Sequence, residues 1–104
     1  MKPLKRKLSQ SFNNAIIKYF AYKSKSESDL EHADKIVDAI FDELEKILIT
    51  KTHTSQKVQY RNSKDLKRFI IENHTVFFRI DLAKEELQVM YFVASKRVKK
   101  NLTR

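Results

Sequence analysis

Cysteine and glycine are both absent from this 104-residue chain. Without cysteine there is no disulfide, no thiolate metal site and no cysteine nucleophile, and the chain is compatible with the cytosol. Without glycine, every turn must be built from Asn, Asp, Ser, His or Lys. Glycine-dependent phosphate loops, both the P-loop and GxGxxG, are excluded. No apolar run reaches the roughly 18–20 residues needed to span a bilayer. The N-terminus, Met1-Lys-Pro-Leu-Lys-Arg-Lys-Leu8, starts like the basic region of an export signal, but no apolar stretch follows it. The expectation is a soluble cytoplasmic protein without membrane contact.

What is present is charge, mostly of one sign. The net charge is +9, and it is unevenly spread. Residues 1–26 carry +7, residues 27–46 carry −6, and residues 47–104 carry +8. An acidic segment thus lies between two basic ones. Such a surface attracts nucleic acid or an acidic protein, chiefly by raising encounter rates. With 41% hydrophobic residues, the composition is that of a globular chain rather than a disordered one. The length fits a single domain, residues 1–104.

The hydrophobic period divides the chain. Pro3–Leu8 alternates enough for a short edge strand, with Pro3 tolerated only near its start. Ser9 or Ser11 then caps a helix in which Phe12, Ala15, Ile16, Tyr19 and Phe20 form one stripe. Ser28-Asp-Leu-Glu31 reads as a capping box opening a second helix. Its seam is Leu30, Ala33, Val37, Ile40, Leu44 and Ile47, widened by Ile36, Phe41 and Leu48. The short join at 23–28 implies an antiparallel helical hairpin. Residues 52–65 read as a polar loop. The period then becomes two. Leu66–Glu72 is a strand, Asn73-His74 a tight turn, and Val76, Phe78, Ile80 and Leu82 mark one face of the next strand. Leu87–Ala94 is almost wholly apolar, as in a central strand. The expected class is α+β, in the order β-α-α-β-β-β, with the hairpin packed on one face of a mostly antiparallel sheet.

That order, with His74-Thr-Val-Phe-Phe-Arg-Ile-Asp81 and then Glu86-Leu-Gln-Val-Met-Tyr-Phe-Val-Ala-Ser-Lys-Arg97, resembles the RelE/ParE toxin superfamily, nearer its ParE branch. The resemblance covers roughly residues 2–97. It implies the toxin half of a type II toxin–antitoxin pair, held inactive by a cognate antitoxin in a hetero-oligomer. The ParE branch traps DNA gyrase on cleaved DNA, and the other branch cleaves mRNA on the ribosome. The ribonuclease branch carries an Arg near the start of the penultimate strand, where Thr75 stands here. It also carries an Arg after the last strand, matched by Arg97, and often a Tyr behind it, which this tail lacks. Two of three features are missing, which favours the gyrase reading and argues against an enzyme. His74 is the other catalytic candidate, although a turn histidine is ordinarily solvated. A third reading is a non-toxic basic module that binds nucleic acid.

The basic residues Arg68, Arg79, Lys96, Arg97, Lys99 and Lys100 are the candidate target contacts. Arg79 shares its face of the strand with Phe77, and an Arg beside an exposed aromatic is a good macromolecular contact. Leu4, Leu8, Tyr19 and Tyr22 are the candidate antitoxin contacts, since an antitoxin segment would enter as a helix in a groove or a strand on an edge. His32, His53 and His74 share no ligand spacing, so neither a metal nor any other cofactor is expected. Asp38, Asp42 and Glu45 read as a solvated helix face.

Overall fold

A computed structural model describes residues 2–94. The chain forms β1 (Lys5–Leu8), α1 (Gln10–Lys23), α2 (Glu27–Thr50), β2 (Val58–Tyr60), β3 (Ser63–Ile71), β4 (His74–Asp81) and β5 (Glu86–Val93). The sheet order is β1-β5-β4-β3-β2. β1 runs parallel to β5, and every other pairing is antiparallel. This is the expected α+β arrangement, with one strand more: β2 lies inside the stretch read as a loop.

The two helices cover one face of the sheet. Along α2 the buried positions are Ala33, Ile36, Ile40, Leu44, Ile47 and Leu48. They meet Phe69, Val76, Phe78, Leu87, Val89 and Phe92 from the strands. The stripe is rotated slightly from its expected course: Leu30 stays exposed and Val37 only half-buried. β5 is interior, as its composition suggested, because β1 and β4 flank it.

Local chemistry sets the element ends. Ser9 caps α1: its Oγ accepts from the Phe12 N–H at 2.9 Å and donates to the Met90 carbonyl, tying the helix start to β5. The α2 cap is Ser26 rather than Ser28, with its Oγ accepting from the Asp29 N–H at 3.1 Å. Ser26 therefore takes the role expected of Ser28, half a turn earlier. With no glycine in the chain, left-handed backbone falls to Lys51, Arg61, Asp65, Glu72, Asn73 and Glu85. Glu72 and Asn73 both take positive φ (47° and 72°), which is what a two-residue hairpin turn requires. The turn is thus Glu72-Asn73, one residue earlier than expected. His74 becomes the first residue of β4, paired with Ile71. It is 7% exposed, not solvated.

Two further expectations change with burial. Leu4 sits in the core at 4% exposure, its N–H bonded to the Leu48 carbonyl at 3.0 Å, so it is no free edge residue. Tyr19 is buried to the same degree on the sheet-facing side of α1.

Candidate functional site

The site grows from a bulge. Phe77 pairs with Tyr91 and Phe78 with Val89, so Met90 is an extra residue in β5. The extra residue reverses the alternation beyond it. Phe92 therefore joins Leu87 and Val89 on the helix side, where it meets Phe12 and Tyr19. Tyr91 is sent to the opposite side of the sheet. There Tyr60 waits, 5.1 Å from it between ring centroids and stacked on Phe77 at 4.4 Å and 14°. β2 lies at the far edge of the sheet, yet Tyr60 reaches β4 and β5. The end of the β2–β3 hairpin must therefore curl back over the sheet.

The turn residue Arg61 caps this cluster. Its guanidinium carbon lies 5.4 Å from the Tyr60 centroid and 5.6 Å from that of Tyr91, within cation–π range. Tyr91 is fixed from its other end, with the Ser63 and Tyr91 hydroxyl oxygens 3.1 Å apart. Across from the turn stands α1. Between them a cavity of about 350 Å³ is lined by Lys18, Tyr19 and Tyr22 of α1, Tyr60 and Arg61 of the turn, and the end of β5 at Phe92–Ala94. A second hollow of about 250 Å³ continues it past Ser11 and Asn14 to Tyr91. The two share Ala15, Lys18, Tyr60, Arg61 and Phe92, and are one cleft. It presents two cations among tyrosines, and no histidine or carboxylate lines it among the described residues.

One layer behind the cleft wall lies His74. Its Nε2 is 3.3 Å from the Tyr19 Oη, and its ring meets Tyr19 edge-on at 5.2 Å. Burial, with Lys23 adding, holds its pKa below the ordinary 6.5, while Glu72 opposes and His32 adds a smaller lowering. Burial, and then Glu72, also raises the Tyr19 phenol. His74 is thus a neutral buried group rather than a reactive one facing solvent. His53 is held low as well, first by burial, with Glu43 opposing and Lys67 assisting. Its ring packs on Phe78 at 5.1 Å, and its carbonyl and that of Ser55 accept from the Lys67 ammonium, pinning the loop before β2.

Of the residues singled out from sequence, Tyr19 and Tyr22 meet in the cleft, and the other described ones stand apart from it. Arg68 is exposed on a separate surface with Ser55, Gln56 and Ile70. The Arg79 guanidinium donates to the Lys64 carbonyl at 3.1 Å, and the aromatic on its face, Phe77, is buried under Tyr60 rather than exposed. Lys96, Arg97, Lys99 and Lys100 lie outside the described residues. Leu8 is half-buried against the core. Tyr22 does face the cleft, at 55% exposure, with the Lys23 ammonium 5.8 Å from its ring. Lys18, Tyr60, Arg61 and Tyr91 were missed. The signal that marks them is Tyr60-Arg61 in an otherwise polar stretch, together with Lys18 and Tyr22 one helical turn apart. Among the described residues no three His, Asp or Glu side chains gather as a metal site would need, and no helix is long and apolar enough to cross a membrane.

No family model matches the sequence, and no curated protein matches it. The fold is similar to that of a chain from the intact E. coli RelBE toxin–antitoxin complex. The TM-score is 0.54 with 10% sequence identity, over 90% of this chain and 99% of that one. At that identity the likeness establishes a RelE-like fold and no more.

Proposed function

We propose that this chain is the toxin of a type II toxin–antitoxin pair, acting in the cytoplasm by gripping a macromolecular target in the cleft between α1 and the β2–β3 turn. The target in this reading is DNA gyrase, as for ParE-like toxins. The observation that carries it is the make-up of the cleft: Lys18 and Arg61 stand among Tyr22, Tyr60 and Tyr91, with no histidine or carboxylate beside them among the described residues. Such a set binds well. Rings and an arginine held in place are what dominate protein interfaces. Among the described residues the cleft lacks the histidine most often used for proton transfer, and its lysine and tyrosines are the groups that could move a proton there. His74, the one sequence candidate within the described residues, is buried behind Tyr19.

The RelE-like fold supports an antitoxin as partner, since the similar solved structure is a toxin–antitoxin complex. An acidic antitoxin segment would neutralise the cleft cations, with Tyr22 and the half-buried Leu8 as further contacts. Arg68, Arg79, Lys96, Arg97, Lys99 and Lys100 remain proposed target contacts on their charge. A second reading, cleavage of mRNA, draws on one observation: Arg61 lies over Tyr60 and Tyr91, and nucleic-acid bases stack on such platforms.

Induction in a bacterial host tests both. Gyrase capture gives growth arrest with filamentation, relieved by co-expression of the gene beside this one, and micromolar protein alters supercoiling by purified gyrase. Supercoiling that proceeds unchanged would remove gyrase as target. Codon-phased cuts in mRNA would install the second reading instead.

A further inference from the structure

Lys67 is the one lysine among the described residues whose ammonium donates to backbone carbonyls. Its Nζ reaches that of His53 at 3.0 Å and that of Ser55 at 2.8 Å. No carboxylate pairs with it among the described residues. Ser55 is tied twice more. Its N–H donates to His53 Nδ1 at 3.2 Å, and its Oγ accepts from the Arg68 N–H at 3.2 Å. Residues 53–55 are thereby fastened along β3. The strand that follows needs such fastening. β2 has three residues and meets β3 at two pairs, Val58↔Leu66 and Tyr60↔Ser63, with a register shift between them. So short a strand at a sheet edge is marginal by itself. Yet it ends in Tyr60 and leads into Arg61, and both wall the cleft. Lys67 lines neither hollow of that cleft.

We propose that Lys67 is a positioning residue for the cleft: by clamping residues 53–55 to β3 it fixes where β2 begins, and so keeps Tyr60 on Phe77 and Arg61 over the cleft. The ammonium is half-buried, and its two bonds are charge-assisted, which makes them the stronger kind. Without it the two carbonyls lose their donor. They belong to a surface loop that turns them to water, so the loss falls on the β2 tip rather than on the core. The effect on target capture rests on the cleft being the target site; the placing of Tyr60 does not.

Lys67→Met removes the ammonium and keeps an apolar stem, and Lys67→Gln is kept in case the first folds poorly. Lys67→Arg retains a cation able to donate to both carbonyls. The readout is the NMR spectrum of the full chain with carbon-13 in its tyrosine rings. Only four tyrosines contribute, and Tyr60→Phe identifies the signals of Tyr60. Tyr60 lies 4.4 Å from Phe77 at 14°, so its ring protons are shifted upfield by the stacked ring. That shift is expected to be largely lost in Lys67→Met and Lys67→Gln and regained in Lys67→Arg. The signals of Tyr19, on the helix side of the sheet, should stay in place. Unchanged Tyr60 signals in a folded Lys67→Met or Lys67→Gln protein would overturn the clamp. So would a loss that Tyr19 shares, which marks general loosening of the core. Growth inhibition should fall with the Tyr60 shift and return in Lys67→Arg. A displaced Tyr60 with inhibition undiminished would uphold the clamp and remove the cleft as the target site.

Discussion

Arg61→Asn is expected to abolish growth inhibition while leaving the fold intact. Arg61 occupies left-handed backbone at φ 55°, a region that asparagine tolerates better than alanine. The replacement therefore removes the guanidinium without imposing backbone strain. The side chain is exposed, and its resolved contacts are the faces of Tyr60 and Tyr91. Little folding energy depends on it. Truncating an arginine at the centre of an interface typically weakens binding by about 2–4 kcal/mol, roughly 30- to 1,000-fold. Arg61→Lys should restore only part of the activity, since an ammonium keeps the charge but loses the flat stacking surface. Growth curves on induction, paired with circular dichroism of each variant, check this. Full toxicity of a folded Arg61→Asn protein would take Arg61 out of the site.

Phe78→Ala is expected to be the most damaging single truncation for stability. Phe78 is fully buried at the middle of β4, between Val89 of β5 and Lys67 of β3, with His53 and Phe69 against its ring. Removing a buried phenylalanine side chain leaves a cavity and costs about 3–5 kcal/mol. A domain of this size is stable by only about 5–15 kcal/mol, so the loss is a large share of the whole. The urea midpoint should drop steeply with an unchanged slope. Phe78→Leu should fall well short of that drop. An Ala variant within about 1 kcal/mol of the parent would show that the core repacks around the gap.

The fold was legible wherever a period ran long enough to read. α2 holds helical spacing over 24 residues, and β4 alternates around Val76, Phe78 and Ile80. Two of the failures share a cause: offsets of one residue that no period reveals. Placing the β3–β4 turn at Asn73-His74 rather than Glu72-Asn73 sends His74 to solvent, when the real register sends it to the core. Glutamate is an unusual choice for a positive φ, and a chain without glycine gives no warning of it. The Met90 bulge is equally silent, because Leu87–Ala94 is apolar on both parities. That bulge decides that Tyr91, not Phe92, faces Tyr60. β2 escaped notice because it is three residues long and is set among Gln, Lys and Asn. With β2 unseen, Tyr60 and Arg61 lay in an apparent loop. The arginines that stand out in the sequence are then Arg68 and Arg79, which the fold places elsewhere. Leu4 and Tyr19 were expected as antitoxin contacts, Tyr19 also as part of the α1 stripe, and sequence alone does not tell a contact from a core residue there.

The most direct test is where the protein touches its target in the cell. A photo-reactive phenylalanine analogue at position 60 keeps an aromatic ring over Phe77 and places a cross-linker in the cleft. The same analogue at position 34 sits on the exposed outer face of α2 and serves as the control. After induction and irradiation, position 60 should yield a discrete adduct, carrying a gyrase subunit in the leading reading, and position 34 should yield none. Adducts from position 34 with none from position 60 would place capture on the acidic helix and contradict the cleft.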